Sequence, residues 1–89
     1  MDRLVTWRKL IEDAMRVHGE SLADQISIAP IDLDLEHEFD GGYGGSEGRP
    51  FTLWTTGRVY FPAVYDGAEW VASVPRNPCE EATSHVGGQ

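Results

Sequence analysis

Five glycines crowd into residues 41–48, Gly-Gly-Tyr-Gly-Gly-Ser-Glu-Gly, and split the chain into two halves of different periodicity. So dense a run cannot hold a regular element cheaply, so it reads as a loop. The chain after it is too short to fold alone, which makes the loop an internal connection within one domain spanning 1–89. Before it, Leu4, Trp7, Leu10, Ile11, Ala14, Met15 and His18 recur at intervals of three and four. That spacing predicts a helix over 4–18 with one apolar face. Arg8, Lys9, Glu12, Asp13 and Arg16 fall on the other side, and Gly19 ends the helix. Trp7, Leu10, Ile11 and Met15 are expected to pack on a sheet. Ser21-Leu22-Ala23-Asp24 can cap one further turn. Ile26-Ser27-Ile28 alternates like a short strand, stopped by Pro30.

After the glycines the period changes to two. Residues 51–55 and 58–63 are β-rich runs around Thr56-Gly57, a hairpin signal, and Asp66-Gly67 supplies a second turn before a strand at 70–74. Pro75 and Pro78 end the sheet, and the polar tail 79–89 is expected to be flexible. The fold class is therefore α+β, an N-terminal amphipathic helix packed on a three- or four-stranded antiparallel β-meander within 25–75. Alternation places Phe51 and Leu53 on one sheet face, opposite Val59 and Phe61, with Trp54 and Tyr60 on the other. One helix covers one face. The other is either covered by the 20–40 segment or left as a binding patch.

Fifteen acidic against seven basic residues give a formal charge of −8. Phosphate contacts dominate nucleic-acid binding, so direct binding of DNA or RNA is disfavoured. There is no polybasic segment for an anionic membrane and no apolar run of the ~20 residues that a membrane helix needs. A partner with a basic or nucleic-acid-binding surface suits this charge, although acidity also serves solubility alone. Cys79 is the only cysteine, which rules out an internal disulfide and fits a reducing compartment. With no apolar leader at the start, the expectation is cytoplasmic.

The residues that carry chemistry are sparse. Cys79 with His18, His37 or His85 is the one thiol–imidazole combination, and Cys79 and His85 both lie in the polar tail. Gly44-Gly45-Ser46-Glu47-Gly48 spells Gly-x-Ser-x-Gly, but it lies in a glycine run that no helix pattern follows and shares only the glycine content of a nucleophile elbow, and 41–48 lacks the lysine of a phosphate-binding loop. Three scattered histidines and one cysteine do not make a zinc site. Glu36-x-Glu38-x-Asp40-Gly41 followed by Glu47 approaches the spacing of a calcium loop. It departs from that pattern by Glu at the first position, by Tyr43 at the eighth, and by flanks that do not read as helices. The expectation is a non-enzymatic protein with no cofactor, a calcium- or ligand-binding module being the lesser alternative.

Asp32, Asp34, Glu36, Glu38 and Asp40 occupy alternate positions between Leu33, Leu35, His37 and Phe39. In an extended strand all five carboxylates would share one face about 7 Å apart, giving a line of negative charge similar in sign and density to a nucleic-acid strand. This row, with Tyr43, Trp54 and Tyr60 as aromatic anchors, is the candidate partner-binding site. The plainer reading is an edge strand kept soluble by outward charge.

The stretches Glu47-Gly48-Arg49-Pro50-Phe51-Thr52-Leu53-Trp54-Thr55, Arg58-Val59-Tyr60-Phe61-Pro62, Tyr65-Asp66-Gly67-Ala68-Glu69-Trp70-Val71 and Ser73-Val74-Pro75-Arg76-Asn77-Pro78 resemble small acidic proteins encoded by bacteriophages and prophages, mostly without assigned function. The resemblance covers roughly residues 30–88 and weakens in the helix. It carries no catalytic or ligand residue. It implies a phage product acting in a bacterial host's cytoplasm, an inhibitor of a host protein or defence complex of the anti-CRISPR kind. A homodimer or larger homo-oligomer acting as an assembly accessory is the alternative.

Overall fold

A computed structural model describes residues 4–41, 48–65 and 68–86. Strand β1 (Leu4–Thr6) leads directly into helix α1 (Trp7–Val17), followed by a 3-10 turn (Leu22–Asp24) and β2 (Ser27–Ala29). Then come β3 (Glu38–Asp40), β4 (Thr52–Trp54), β5 (Arg58–Tyr65) and β6 (Ala68–Pro75). The architecture is α+β, with a two-stranded antiparallel sheet β1-β3 and a four-stranded antiparallel sheet in the order β2-β4-β5-β6. No helix among the described residues is long and apolar enough to cross a membrane.

The helix begins three residues later than its apolar spacing predicts. Thr6 is extended (φ −122°, ψ 154°) and its hydroxyl accepts the Lys9 N–H at 3.1 Å, which caps the first turn. Leu4 therefore belongs to β1, opposite Asp40, and is 51% exposed. At the other end Gly19 has φ +72°, its N–H reaches Arg16 O at 3.2 Å, and Glu20 N–H reaches Met15 O at 2.9 Å. This pair of bonds closes the helix through a left-handed glycine. Gly19→Ala should cost about 1 kcal/mol, read as a lower denaturation midpoint with an unchanged slope. The helix buries Trp7, Ile11 and Met15, while Leu10 and Ala14 are half-buried at its edge. These join Phe39, Phe51, Leu53, Tyr60 and Val71 in one core.

Thr56-Gly57 forms the β4–β5 turn, closed by Thr55 N–H to Arg58 O at 3.0 Å. The buried Thr55 hydroxyl accepts the N–H groups of Gly57 (3.2 Å) and Arg58 (2.9 Å). This turn sets the register at Leu53–Tyr60 and Trp54–Val59. The expected face assignment is thereby corrected by one residue. Tyr60, not Phe61, shares the helix-covered face with Leu53 and is 0% exposed. Trp54, Val59 and Phe61 lie on the outer face, because partners in a ladder share a face. The second expected turn, Asp66-Gly67, lies outside the described residues, between the paired Tyr65 and Ala68.

β2 ends at Pro30, joined through a cis peptide. The segment that follows turns rather than extends: Leu33 N–H bonds Pro30 O at 3.1 Å, and His37 N–H bonds Asp34 O at 3.4 Å. The two edges of the glycine-rich segment meet on β6. Glu69 N–H donates to Gly41 O at 2.9 Å, and its carboxylate accepts Gly48 N–H at 3.1 and 3.2 Å.

Candidate functional site

The acidic segment is held down by its alternate apolar residues. Leu33 and Leu35 pack against the core, Phe39 is buried in it, and Arg8 N–H donates to Leu35 O at 3.1 Å. Asp32, Asp34, Glu36 and Glu38 consequently point outward and are exposed; Asp40, in β3, is half-buried. The straight, evenly spaced row expected from alternation is not formed, since only Glu38–Asp40 is strand. Asp34 is the reason. Its Oδ1 accepts the Glu36 N–H at 3.0 Å, which offers the backbone a local turn in place of a strand ladder.

Two members of the row are matched by cations. Glu36 accepts from Arg8 Nε, and Arg8 Nη1 also lies 3.4 Å from Glu12. Asp32 stands 3.9 Å from Arg49 Nη2. On the helix, Lys9 and Arg16 both pair with Asp13, holding that carboxyl below its usual range, chiefly through the Lys9 hydrogen bond. Asp34 and Glu38 have no basic partner among the described residues. Asp34 also borders a pocket of about 280 Å³ lined by Trp7, Leu33, His37, Phe39 and Arg49.

The three aromatic anchors are not brought together there. Tyr43 lies outside the described residues. Trp54 is half-buried on the outer sheet face, away from the helix against which the acidic segment packs. Tyr60 is fully buried, with its hydroxyl donating to Glu20 Oε1 at 2.6 Å, so it cannot serve as an exposed anchor.

A larger groove of about 570 Å³, missed by sequence reasoning, runs between α1, β6 and residues 81–86, with Leu10, Ala14, Val17, Trp70, His85 and Val86 on its walls. The tail is tied there by a bidentate pair. Arg58 Nη1 and Nη2 each donate to Glu81 at 2.9 Å, while Arg58 Nε donates to Ser73 Oγ at 2.8 Å. These bonds hold the Glu81 carboxyl below its ordinary range. Farther up, Arg76 Nη1 donates to Thr55 O at 2.9 Å and Asn77 Nδ2 to Thr56 O at 3.2 Å. Arg76 and Asn77 thus hold the chain to the β4–β5 turn just before the tail 79–89, and within the tail Glu81 is paired with Arg58. The one available signal was Arg58, a cation at a strand start facing an acidic pair at 80–81.

Cys79 is exposed, His18 and His85 line the larger groove, and His37 the smaller pocket. Among the described residues no group of three His, Cys, Asp or Glu side chains is arranged to hold a metal ion. The calcium-like spacing runs into residues 42–47, which lie outside the described residues; of its first half, Glu38–Asp40 form strand β3. The chain matches no protein-family model, and no curated protein or solved structure is significantly similar to it.

Proposed function

We propose that this chain is a non-enzymatic binding protein, of the type bacteriophages encode, that inhibits or redirects a bacterial host protein through a basic surface on that partner. The observation that carries the reading is the clamped acidic segment. Leu33, Leu35 and Phe39 fix it on the core, and Asp34 and Glu38 are displayed without basic partners among the described residues. Fixed outward charge on a chain of formal charge −8 steers a cationic groove toward this segment and speeds association. Pairing of Glu36 with Arg8 and of Asp32 with Arg49 narrows the effective face to Asp34, Glu38 and the pocket beside them.

The test is capture from a bacterial lysate, followed by affinity measurements at two salt concentrations on the purified partner. Asp34→Asn with Glu38→Lys should weaken binding more than tenfold and leave the melting temperature nearly unchanged, since the amide keeps the oxygen that accepts the Glu36 N–H and exposed charges contribute little to stability. Wild-type binding should weaken as salt rises. A double variant that binds as tightly as the wild type would reduce the acidic segment to a solubilising surface.

A further inference from the structure

β6 is an edge strand of the four-stranded sheet, and the direction of its backbone groups follows from the turn two strands away. Thr55 N–H bonds Arg58 O across the β4–β5 turn, so Arg58 and every second residue after it turn their backbone groups to the β4 side. Val59, Phe61, Ala63 and Tyr65 turn theirs to β6, where they meet Val74, Ala72, Trp70 and Ala68. Glu69, Val71 and Ser73 are left facing outward, and Pro75 has no N–H to offer. Glu69 N–H bears out the direction, since it reaches Gly41 O at 2.9 Å, off the sheet. The backbone N–H and C=O groups of Val71 and Ser73 meet no partner among the described residues. Such an edge is a template for one more strand.

The groove of about 570 Å³ runs along that edge. Trp70, Val71, Ala72 and Ser73, successive residues from both faces of β6, line it, and residues 81–86 form its far wall. The tail is anchored where this run begins. Arg58 Nε holds Ser73 Oγ while both of its Nη atoms hold Glu81, so Glu81 is fixed beside Ser73 on the helix side of the sheet. Beyond the clasp, Ala82-Thr83-Ser84-His85-Val86 is exposed and contains no Asp, Glu, Lys or Arg. No carboxylate of this segment opposes its approach to the sheet, and threonine and valine suit an extended backbone.

We infer that the open edge of β6 is a strand-acceptor site whose occupant is the chain's own tail, which closes on it as a short fifth antiparallel strand. The clasp selects this occupant, because the tail continues from an established contact straight into the groove. The clasp also sets the register. With Glu81 opposite Ser73, antiparallel counting puts Ala82 opposite Ala72, Thr83 opposite Val71 and Ser84 opposite Trp70. The faces agree: Arg58, Ser73 and Glu81 share the helix side, and Ala82 falls beside Ala72 on the outer side. Glu81 then exchanges backbone hydrogen bonds with Ser73, and Thr83 with Val71. The ladder stops there, because the next outward N–H, that of Glu69, belongs to Gly41. Closure of this strap hides an edge that would otherwise pair with other chains. The groove shares no lining residue with the pocket beside Asp34, so the strap is independent of partner capture.

Nuclear magnetic resonance of the full chain tests the strap. The expected result is an Hα–Hα contact between Ala72 and Ala82, a pair that lies close in this register, together with slow amide exchange at Val71 and Ser73. Thr83→Pro removes the N–H that Val71 O would accept. It should speed exchange at both amides tenfold or more and leave the paired amides of Leu53 and Tyr60 unchanged. Glu81→Gln, which weakens the clasp with the backbone intact, should speed exchange by a smaller factor. The absence of the Ala72–Ala82 contact would overturn the assignment, as would Val71 and Ser73 amides that exchange equally fast in the wild type and in Thr83→Pro. Protection that grows with protein concentration would overturn it too, by giving the edge to a second copy.

Discussion

Trp7→Ala should bring the protein close to unfolding, with an expected loss of about 3–5 kcal/mol. A domain of this length has only about 4–13 kcal/mol in total. Trp7 is 2% exposed and joins three separate parts of the chain. Its ring lies 4.9 Å from both Phe39 and Phe51, tilted at 52° to the first and 65° to the second, geometries in which ring edges meet ring faces. Its indole N–H donates to Arg49 O at 3.0 Å. The contact with the glycine-rich segment is as close as backbone allows. A Cβ on Gly48 would lie 2.5 Å from Trp7 Cζ2 and 2.9 Å from Phe39 Cζ, so a side chain there displaces core rings. The loss should appear in urea unfolding followed by circular dichroism. Trp7→Phe should fall between, keeping ring contacts and losing the bond to Arg49. A Trp7→Ala protein within 1 kcal/mol of the wild type would show that the three segments hold together without this ring.

The helix face was legible because Trp7, Ile11 and Met15 repeat at the helical period and Gly19 supplies the left-handed stop. Its start was not, because Leu4 happens to continue the spacing while Thr6 caps the helix and β3 recruits residues 4–6. That pairing joins residues more than thirty positions apart, and no local pattern encodes it. The sheet register could have been read. A two-residue turn at Thr56-Gly57 pairs Thr55 with Arg58, and counting outward puts Tyr60 beside Leu53. Strict alternation of aromatics pointed instead to Phe61, and a slip of one residue exchanges the faces. In the acidic segment the in-out alternation was right for Leu33, Leu35 and Phe39, while the straight backbone was not. Aspartate at 34 bonds its own backbone, a competition that hydrophobic periodicity does not register. The Arg58–Glu81 clasp and the pairings of Arg8 and Arg49 with the row are contacts between distant residues, visible only once the chain is folded.

Glu20→Ala should cost about 1–3 kcal/mol, because it strands the buried Tyr60 hydroxyl and leaves the Thr55 hydroxyl only the longer 3.4 Å bond to Arg58 O. Glu20 follows Gly19 at the helix end, and its carboxylate reaches into the sheet. Oε1 accepts the Tyr60 hydroxyl at 2.6 Å and Oε2 accepts the Thr55 hydroxyl at 2.9 Å. Both of those residues are 0% exposed. Glu20→Gln should cost less, since the amide retains one acceptor and the volume. The same contact gives the fold an alkaline limit. Burial, then the hydrogen bond to the Glu20 carboxylate, raises the Tyr60 phenol above its ordinary value. A phenol that ionises later in the folded chain than in the unfolded one contributes stability that is complete below about pH 10. That contribution is lost as pH rises from there toward the folded value, at up to about 1.4 kcal/mol per pH unit. Unfolding free energies measured across this alkaline range should fall more steeply for the wild type than for Tyr60→Phe, which has no phenol to titrate. In an absorbance titration one of the three tyrosines should resist ionisation until the protein unfolds. If all three ionise together near pH 10 while the chain remains folded, the Glu20–Tyr60 contact is open to solvent and the expected cost of Glu20→Ala falls with it.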